Sequence, residues 1–290
     1  MQMMIFGCGY SGTAIARSAV GMGAGVAGTT RTLDNATALA DEGVAAFVFD
    51  GATITDELAT ALAQVTHLVQ SIPPRAHGDP LLALTGESLR QLCPKLRWIG
   101  YLSTVGVYGD QGGDWVDEEG ECYPSPGRSQ ERVDAEKAWL SQGEGMGVPV
   151  AILRLAGIYG PGRNAFVNLD KGTAKRIVKK EQVFNRIRVE DIAAATLFLA
   201  QGGHSGIFNI TDNEPAPPQD VIAEAARLMG VEPPPEQSFE TANMTPMARS
   251  FYGANKRVSN RKIRELGFSF RFPHYRMSLQ QLWTTSDWRG

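Results

Sequence analysis

The sequence predicts an α/β protein built on a doubly wound parallel sheet of about seven strands, with a small C-terminal lobe. Three observations lead to this fold class. Short apolar runs alternate with segments of helical spacing along most of the chain. The apolar runs are nearly continuous, as in parallel strands that are buried on both faces. The first run leads directly into a glycine-rich turn and then into a helical pattern.

The predicted strands and helices follow one another as in a chain of βαβ units. Seven apolar runs predict strands, at Met3–Gly7, Gly25–Thr30, Ala45–Asp50, Thr66–Ile72, Leu96–Thr104, Val148–Gly157 and Gly206–Thr211. Helical spacing predicts helices at Glu57–Gln64, Leu81–Cys93 and Val189–Gln201. In a sheet of this kind, ligands bind at the carboxyl ends of the strands.

The pattern weakens after Gly160, and the Pro-rich stretch "EPAPPQ" marks a further boundary. We therefore predict a Rossmann-type core and a smaller lobe that holds the substrate. The core spans residues 1–163 with residues 185–212 returning to it, and the lobe comprises residues 164–184 and 213–290.

Composition and charge exclude several classes of protein. The formal net charge of -3 gives no electrostatic reason to expect nucleic acid or an anionic membrane surface as a partner. No apolar run reaches the roughly 18 residues of a membrane span. The three cysteines have no paired spacing, which predicts neither a disulfide framework nor a metal site. The first strand follows the start without a basic leader, so we expect no signal peptide and a cytoplasmic location.

The turn after the first strand carries Gly7, Gly9 and Gly12, a G-x-G-x-x-G pattern. Between a strand and a helix, this pattern favours binding of a dinucleotide diphosphate over a plain tight turn. The amides of the first helical turn would bind the phosphates. The residues predicted to bind the cofactor here are Gly7, Cys8, Gly9, Tyr10, Ser11 and Gly12.

The ends of the next strands bear on the choice of cofactor. The second strand ends in Thr30 and Arg31, with no acidic residue before Asp34. An arginine here accommodates a 2′-phosphate, so we predict NADP, with NAD as the alternative. A solvated loop arginine would explain Arg31 equally well. Asp50 ends the third strand and would either meet the adenine amino group or cap a helix. The loop after the fourth strand should line the cofactor cleft with Ser71, Ile72 and Pro73.

Three segments further along the chain resemble a known family. They are "YLSTVGVYGD", "LRLAGIYGPGRN" and "NRIRVEDIA", in this order. They are similar to elements of the extended short-chain dehydrogenases/reductases, the NAD(P)-dependent epimerase/dehydratase group. The resemblance covers roughly Met1 to Thr211 and implies an oxidoreductase or epimerase. It places the catalytic hydroxyl at Thr104, with Ser103 beside it.

The sequence departs from this family at the catalytic helix. Where the family has Tyr-x-x-x-Lys, this chain has Arg128 and Arg132, followed by Glu136 at the position of a family acid. It thus resembles the atypical members that lack the pair. The glycine loop differs as well, because Phe6 stands where the family usually has its first glycine.

An arginine stays protonated at any working pH, so Arg128 cannot act as a general base. It can hold an oxyanion, a carboxylate or a phosphate, and Arg132 can donate to a ribose hydroxyl. The alternative is a solvated helix face, with Arg132 paired to Glu136 four residues later. Tyr108 is then the best remaining acid or base, unless it is a packed aromatic whose hydroxyl is bonded.

The sequence leaves two functions open. The first is an NAD(P)-binding oxidoreductase or epimerase-like enzyme that acts on a carbonyl or hydroxyl of a small, anionic or sugar-derived substrate. Tyr108 or a water would supply the proton. The basic stretch "LDKGTAKRIVKK" would suit an anionic ligand, although it would equally suit a solvated face. The second is a non-catalytic NADP-binding sensor or regulatory protein. The resemblance also implies a homodimer.

Overall fold

The computed structural model describes residues 1–290, apart from the side chain of Glu87. The chain forms two compact units, each built from three segments. The first unit comprises Met1–Val107, Pro124–Arg154 and Ile192–Phe208, and the second comprises Tyr108–Tyr123, Leu155–Asp191 and Asn209–Gly290. The second unit therefore takes in residues 108–123, 155–163 and parts of 185–212, which the sequence analysis grouped with the core. Whether this unit holds the substrate stays a prediction.

Strands and helices alternate through most of the chain. The strands are β1 (Gln2–Phe6), β2 (Gly25–Thr30), β3 (Ala45–Val48), β4 (His67–Gln70), β5 (Trp98–Thr104), β6 (Trp115–Val116), β7 (Val150–Leu155), β8 (Gly157–Tyr159), β9 (Arg176–Val178), β10 (Arg186–Arg188), β11 (Gly206–Ile210), β12 (Glu236–Ser238) and β13 (Arg257–Val258). The helices are α1 (Tyr10–Gly21), α2 (Leu33–Ala40), α3 (Asp56–Leu62), α4 (Pro80–Thr85), α5 (Leu89–Leu92), α6 (Arg128–Met146), α7 (Ala165–Asp170), α8 (Val189–Gly202), α9 (Pro218–Met229), α10 (Pro246–Ser250), α11 (Arg261–Glu265) and α12 (Tyr275–Thr284).

The central sheet has seven strands in the order β11-β7-β5-β4-β1-β2-β3. β1 pairs in parallel with β2 and β4, β2 with β3, and β4 with β5. The predicted doubly wound fold is therefore confirmed. The strand order reverses between β1 and β4, and in such sheets a ligand binds in the crevice outside the strands at this point. β1 and β7 are buried along almost their whole length, which explains their nearly continuous apolar sequences.

The second unit has its own apolar core. Phe166 of α7 packs against Trp283 of α12 and against Trp288, with ring centroids 5.4 and 6.0 Å apart. Short parallel pairs join β8 to β10, β9 to β12 and β6 to β13. Among the helices that the structure describes, none has the length and the apolar character needed to cross a membrane.

The prediction of one continuous helix at Leu81–Cys93 is wrong. The structure has α4, a 3₁₀ turn at Gly86–Ser88 and then α5. Gly86 has a φ of +46°, which a helix does not permit and glycine adopts readily. Asp79 caps the start of α4, since its Oδ1 accepts the amides of Leu81 and Leu82 at 2.9 and 3.2 Å.

A buried polar network ties α6 to the sheet of the first unit. Arg154 on β7 donates from Nη2 to Glu136 Oε2 at 2.8 Å, and from Nε to both oxygens of this carboxylate at 3.2 Å. Ser103 on β5 donates its hydroxyl hydrogen to Glu136 Oε1. All three side chains are buried, so the network fixes α6 to two neighbouring strands at once.

We expect Glu136→Ala to lower the free energy of unfolding by about 3–5 kcal/mol, because it leaves the Arg154 guanidinium buried without its carboxylate. Urea denaturation followed by tryptophan fluorescence measures this loss. The matched control is Glu224→Ala, which breaks the surface pair with Arg227 (2.7 Å) and should cost at most about 1 kcal/mol. Equal losses in the two variants would contradict the prediction.

Candidate functional site

The glycine loop links β1 to α1 by short backbone contacts. The Gly7 amide donates to Thr29 Oγ1 at 3.0 Å, and the Cys8 amide donates to the Thr29 carbonyl at 2.7 Å. The Gly9 amide bonds the Gly7 carbonyl at 2.8 Å, and α1 begins at the next residue. Gly7 has a φ of +90°, a backbone conformation that residues other than glycine rarely adopt. The loop therefore turns the chain sharply from the sheet into the helix.

The three glycines of the loop serve different purposes. A Cβ at Gly12 would overlap the Gly7 carbonyl oxygen, and a Cβ at Gly7 would lie 2.8 Å from Ile72 Cγ1. A Cβ at Gly9 would meet no described atom within 4 Å. Gly7 and Gly12 thus allow close packing, whereas Gly9 leaves the approach to the start of α1 open. The first-turn amides of Ser11 and Gly12 have no acceptor within the helix itself, so the loop fits a diphosphate.

Cys8 contributes to the loop through its backbone, since its side chain points into the fold. A Cβ at Gly28 would lie 2.5 Å from Cys8 Sγ, so the glycine on β2 makes room for the thiol. Burial raises the pKa of the Cys8 thiol to about 12, and the thiol stays protonated at neutral pH. Ser71 and Ile72 are half-buried at the end of β4, and Pro73 is exposed.

The ends of β2 and β3 present two exposed polar residues, Arg31 and Asp50. The hydroxyl of Thr30 is turned to its own chain and donates to the Thr32 carbonyl at 3.0 Å. Asp50 Oδ1 accepts the amide of Ala52 at 2.8 Å, so Asp50 caps a tight turn and not a helix. Arg75 reaches over this turn and donates to the Asp50 carbonyl at 3.5 Å. Sequence reasoning missed Arg75 because only the fold brings it to Asp50.

The predicted catalytic hydroxyl, Thr104, lies half-buried at the end of β5. Its Oγ1 accepts the Gly106 amide at 3.1 Å. A Cβ at Gly106 would lie 3.3 Å from Thr104 Oγ1 and 3.6 Å from Ser129 Oγ. The first turn of α6 therefore brings a second hydroxyl, that of Ser129, close to Gly106 as well. The neighbouring Ser103 is not a substitute, because its hydroxyl is bonded to Glu136.

Arg132 lies against the end of β5. Its Nη1 donates to the Leu102 carbonyl at 2.6 Å and to the Tyr101 hydroxyl at 3.4 Å, and its guanidinium lies 5.7 Å from the centre of the Tyr101 ring. Burial raises the pKa of Tyr101, which keeps this hydroxyl protonated. Glu136 is bonded to Arg154, so the alternative in which Arg132 pairs with Glu136 is not what the structure has.

Arg128 is the first residue of α6 and is exposed. Arg128, Ser129, Arg132 and Thr104 all belong to the first unit. Tyr108 belongs to the second unit, where it is fully buried and its hydroxyl donates to Asn209 Oδ1 at 2.8 Å. This geometry is that of a packed aromatic with a bonded hydroxyl, and a catalytic role for Tyr108 stays a prediction.

The second unit contains a cavity of about 470 Å³. Four basic residues line it, and they come from three segments: Arg163, Lys171, Lys175 and Arg186. None of the described residues that line it is acidic. The lining also includes Asn164, which caps α7 and donates from Nδ2 to the carbonyls of Gly160 and Trp288 at 2.8 and 2.7 Å. The cavity therefore has a positive lining on a rigid turn.

The charge of Arg186 is only partly offset by its neighbour Asp212. The guanidinium of Arg186 donates to the carbonyls of Phe184 and Ala216 at 2.9 and 3.0 Å. Burial lowers the pKa of Arg186, although a guanidinium stays charged at neutral pH. Burial raises the pKa of Asp212 to about 8, so this carboxyl is mostly neutral at pH 7. The lining of the cavity thus keeps its net positive charge.

Comparison with known proteins places the chain in a family. It is 30% identical to Protein YeeZ of Escherichia coli (strain K12), and the similarity covers 94% of this chain and 96% of YeeZ. The chain belongs to the YeeZ family. A functionally unknown conserved protein from Silicibacter pomeroyi is 40% identical, with a TM-score of 0.89 over 99% of each chain. No family model matches the sequence.

Among solved structures, the UDP-glucuronic acid 4-epimerase from Bacillus cereus in complex with NAD has a TM-score of 0.76 and 16% identity, over 98% of this chain and 96% of the epimerase. At this identity the likeness concerns the fold. The resemblance to the epimerase/dehydratase group is thus confirmed as a shared fold, and membership of the atypical subfamily stays a prediction.

We expect Gly12→Ala to lower the free energy of unfolding by about 1–3 kcal/mol, because the added methyl group collides with the backbone of Gly7. Gly9→Ala should leave the stability within about 0.5 kcal/mol of the wild type, since its methyl group enters open space. Thermal unfolding of both variants checks this contrast. A stable Gly12→Ala variant would show that the loop is less tightly packed than described.

Proposed function

We propose that the protein binds NADP and is an oxidoreductase or epimerase-like enzyme, acting on a carbonyl or hydroxyl of a small, anionic or sugar-derived substrate. The observation that carries this proposal is the glycine loop. Gly7 and Gly12 close the turn, and Gly9 leaves the start of α1 open to a diphosphate. The shared fold with an NAD-bound epimerase supports the same placement of a dinucleotide.

The preference for NADP rests on charge at the end of β2. Arg31 is exposed there, and the next acidic residue along the chain, Asp34, lies within α2. A guanidinium at this position can bind a 2′-phosphate by two parallel hydrogen bonds. Arg75, held over Asp50, is a second cation that a phosphate could recruit.

The nicotinamide, when bound, would supply hydride transfer. Among the residues of the chain, Thr104 would orient the substrate oxygen, and Arg128 would bind the negative charge of the substrate. Arg132 has N–H groups beyond the one that bonds Leu102, and these can donate to a ribose hydroxyl. Because Tyr108 is fully buried, we propose that a water molecule supplies the proton to the substrate. The hydroxyls of Thr104 and Ser129 would hold this water by hydrogen bonds.

A second candidate is a non-catalytic NADP-binding sensor or regulatory protein. Two points favour it: the resemblance puts arginines at the positions of the Tyr-x-x-x-Lys pair, and the hydroxyl of Tyr108 is bonded to Asn209 inside the second unit. Absorbance of the nicotinamide during a screen of aldehydes, keto acids and sugar derivatives separates the two. Cofactor binding without a change in nicotinamide absorbance with any compound would favour the sensor. A homodimer and a cytoplasmic location stay predictions.

We expect wild-type protein to bind NADP more tightly than NAD in a fluorescence titration. Arg31→Ala should weaken binding of NADP by about tenfold and leave NAD within about twofold, because only NADP carries the 2′-phosphate. Gly9→Ala should weaken the binding of NADP and of NAD to the same extent, since its methyl group enters the space that the diphosphate needs. Tighter binding of NAD by the wild type would overturn the NADP assignment.

Once a substrate is found, Thr104→Ala should lower kcat by about 10²-fold or more, because the substrate oxygen loses its hydrogen-bond partner. Ser129→Ala should lower kcat by a smaller factor, while KM for the dinucleotide stays unchanged. Tyr108→Phe tests the alternative proton donor and should retain most of the activity. Wild-type rates in Thr104→Ala would refute its assigned role.

A further inference from the structure

The cavity of the second unit has two chemically different kinds of lining. One kind is basic and consists of Arg163, Lys171, Lys175 and Arg186. The other kind is aliphatic, and its members are Ile158, Ala165, Val167, Pro218, Val221, Ile222 and Leu279. Leu279, Val167, Val221 and Ile222 belong to or pack against the core of the unit, so these walls are held in place.

The neutral polar side chains of the lining are few. They are Tyr159, Asn164 and Asn168. The hydroxyl of Tyr159 is buried, and burial raises its pKa. Asn164 uses its amide hydrogens on two carbonyls and its oxygen on the Val167 amide at 3.1 Å. A sugar would place several hydroxyls here against apolar walls, and each hydroxyl without a partner costs free energy.

We propose that this cavity binds an anion with an aliphatic body, such as an alkyl phosphate, in preference to a sugar phosphate. The basic residues hold the anionic group, and the aliphatic residues cover the hydrocarbon. The proposal narrows the substrate class of the enzyme and to that extent rests on the proposed function. The preference itself concerns only residues of the second unit.

Calorimetric titration of the full chain with butyl phosphate, glucose 1-phosphate and inorganic phosphate tests the preference. Butyl phosphate should bind at least tenfold more tightly than either of the other two, because only it buries hydrocarbon against the aliphatic walls. Pentanoate, which carries a single charge, should bind more weakly than butyl phosphate. Binding of glucose 1-phosphate as tight as that of butyl phosphate would overturn the proposal.

Variants of the lining residues test whether butyl phosphate binds in this cavity. The double variant Lys171→Gln, Lys175→Gln should weaken the binding of butyl phosphate by about tenfold. Ile222→Ser should remove most of the advantage of butyl phosphate over inorganic phosphate while the affinity for inorganic phosphate stays the same. The control is Lys180→Gln, an exposed lysine of the same segment outside the lining, which should bind like the wild type. Unchanged binding by the double lysine variant would refute the site.

A separate titration with NADP keeps the two proposals apart. NADP binding without any binding of butyl phosphate would refute the ligand assignment and leave the proposed function standing. Butyl phosphate binding that depends on Lys171 and Lys175, without binding of either dinucleotide, would support the cavity assignment and refute the proposed function.

Discussion

The ion pair between Glu136 and Arg154 is the interaction on which the position of α6, and with it Arg128, Ser129 and Arg132, depends. A buried carboxylate and guanidinium are tolerated only when they are paired and hydrogen-bonded, which ties α6 to β7 at one fixed register. The hydroxyl of Ser103 extends the tie to β5. One turn earlier on the helix, Arg132 then meets the carbonyl of Leu102. The start of α6 follows from this register and lies beside the end of β5.

Much of the first unit could be predicted from the sequence, because parallel strands buried on both faces leave long apolar runs and the glycine loop has fixed spacing. The break in the predicted helix was not visible, since a lone glycine such as Gly86 is often tolerated within helices. The partner of Glu136 was also missed. Local spacing favours Arg132, four residues away, and only the packing of α6 on the sheet brings Arg154 closer. The cavity depends on segments far apart in the chain, which no local pattern reveals.

By the sequence resemblance, Arg128 and Arg132 stand where a tyrosine and a lysine would be expected, and this would change what the site can do. The family pair can move a proton, whereas a guanidinium can only hold charge and donate hydrogen bonds. In the structure one of the arginines, Arg132, is already bonded to the backbone of β5 and packs over Tyr101, so it acts first as a structural residue. In the proposed function, hydroxyl groups are therefore the means of handling a proton at the end of β5.

The carbonyl of Trp288 bonds both Gly162 and Asn164, while the Trp288 ring packs on Phe166 beneath the same turn. Residues that need never touch a ligand thus shape the lining of the cavity. Relatives of this protein could therefore differ in the shape of this cavity through changes at Trp288 alone, with every lining residue retained. Comparing lining residues alone would then miss the difference.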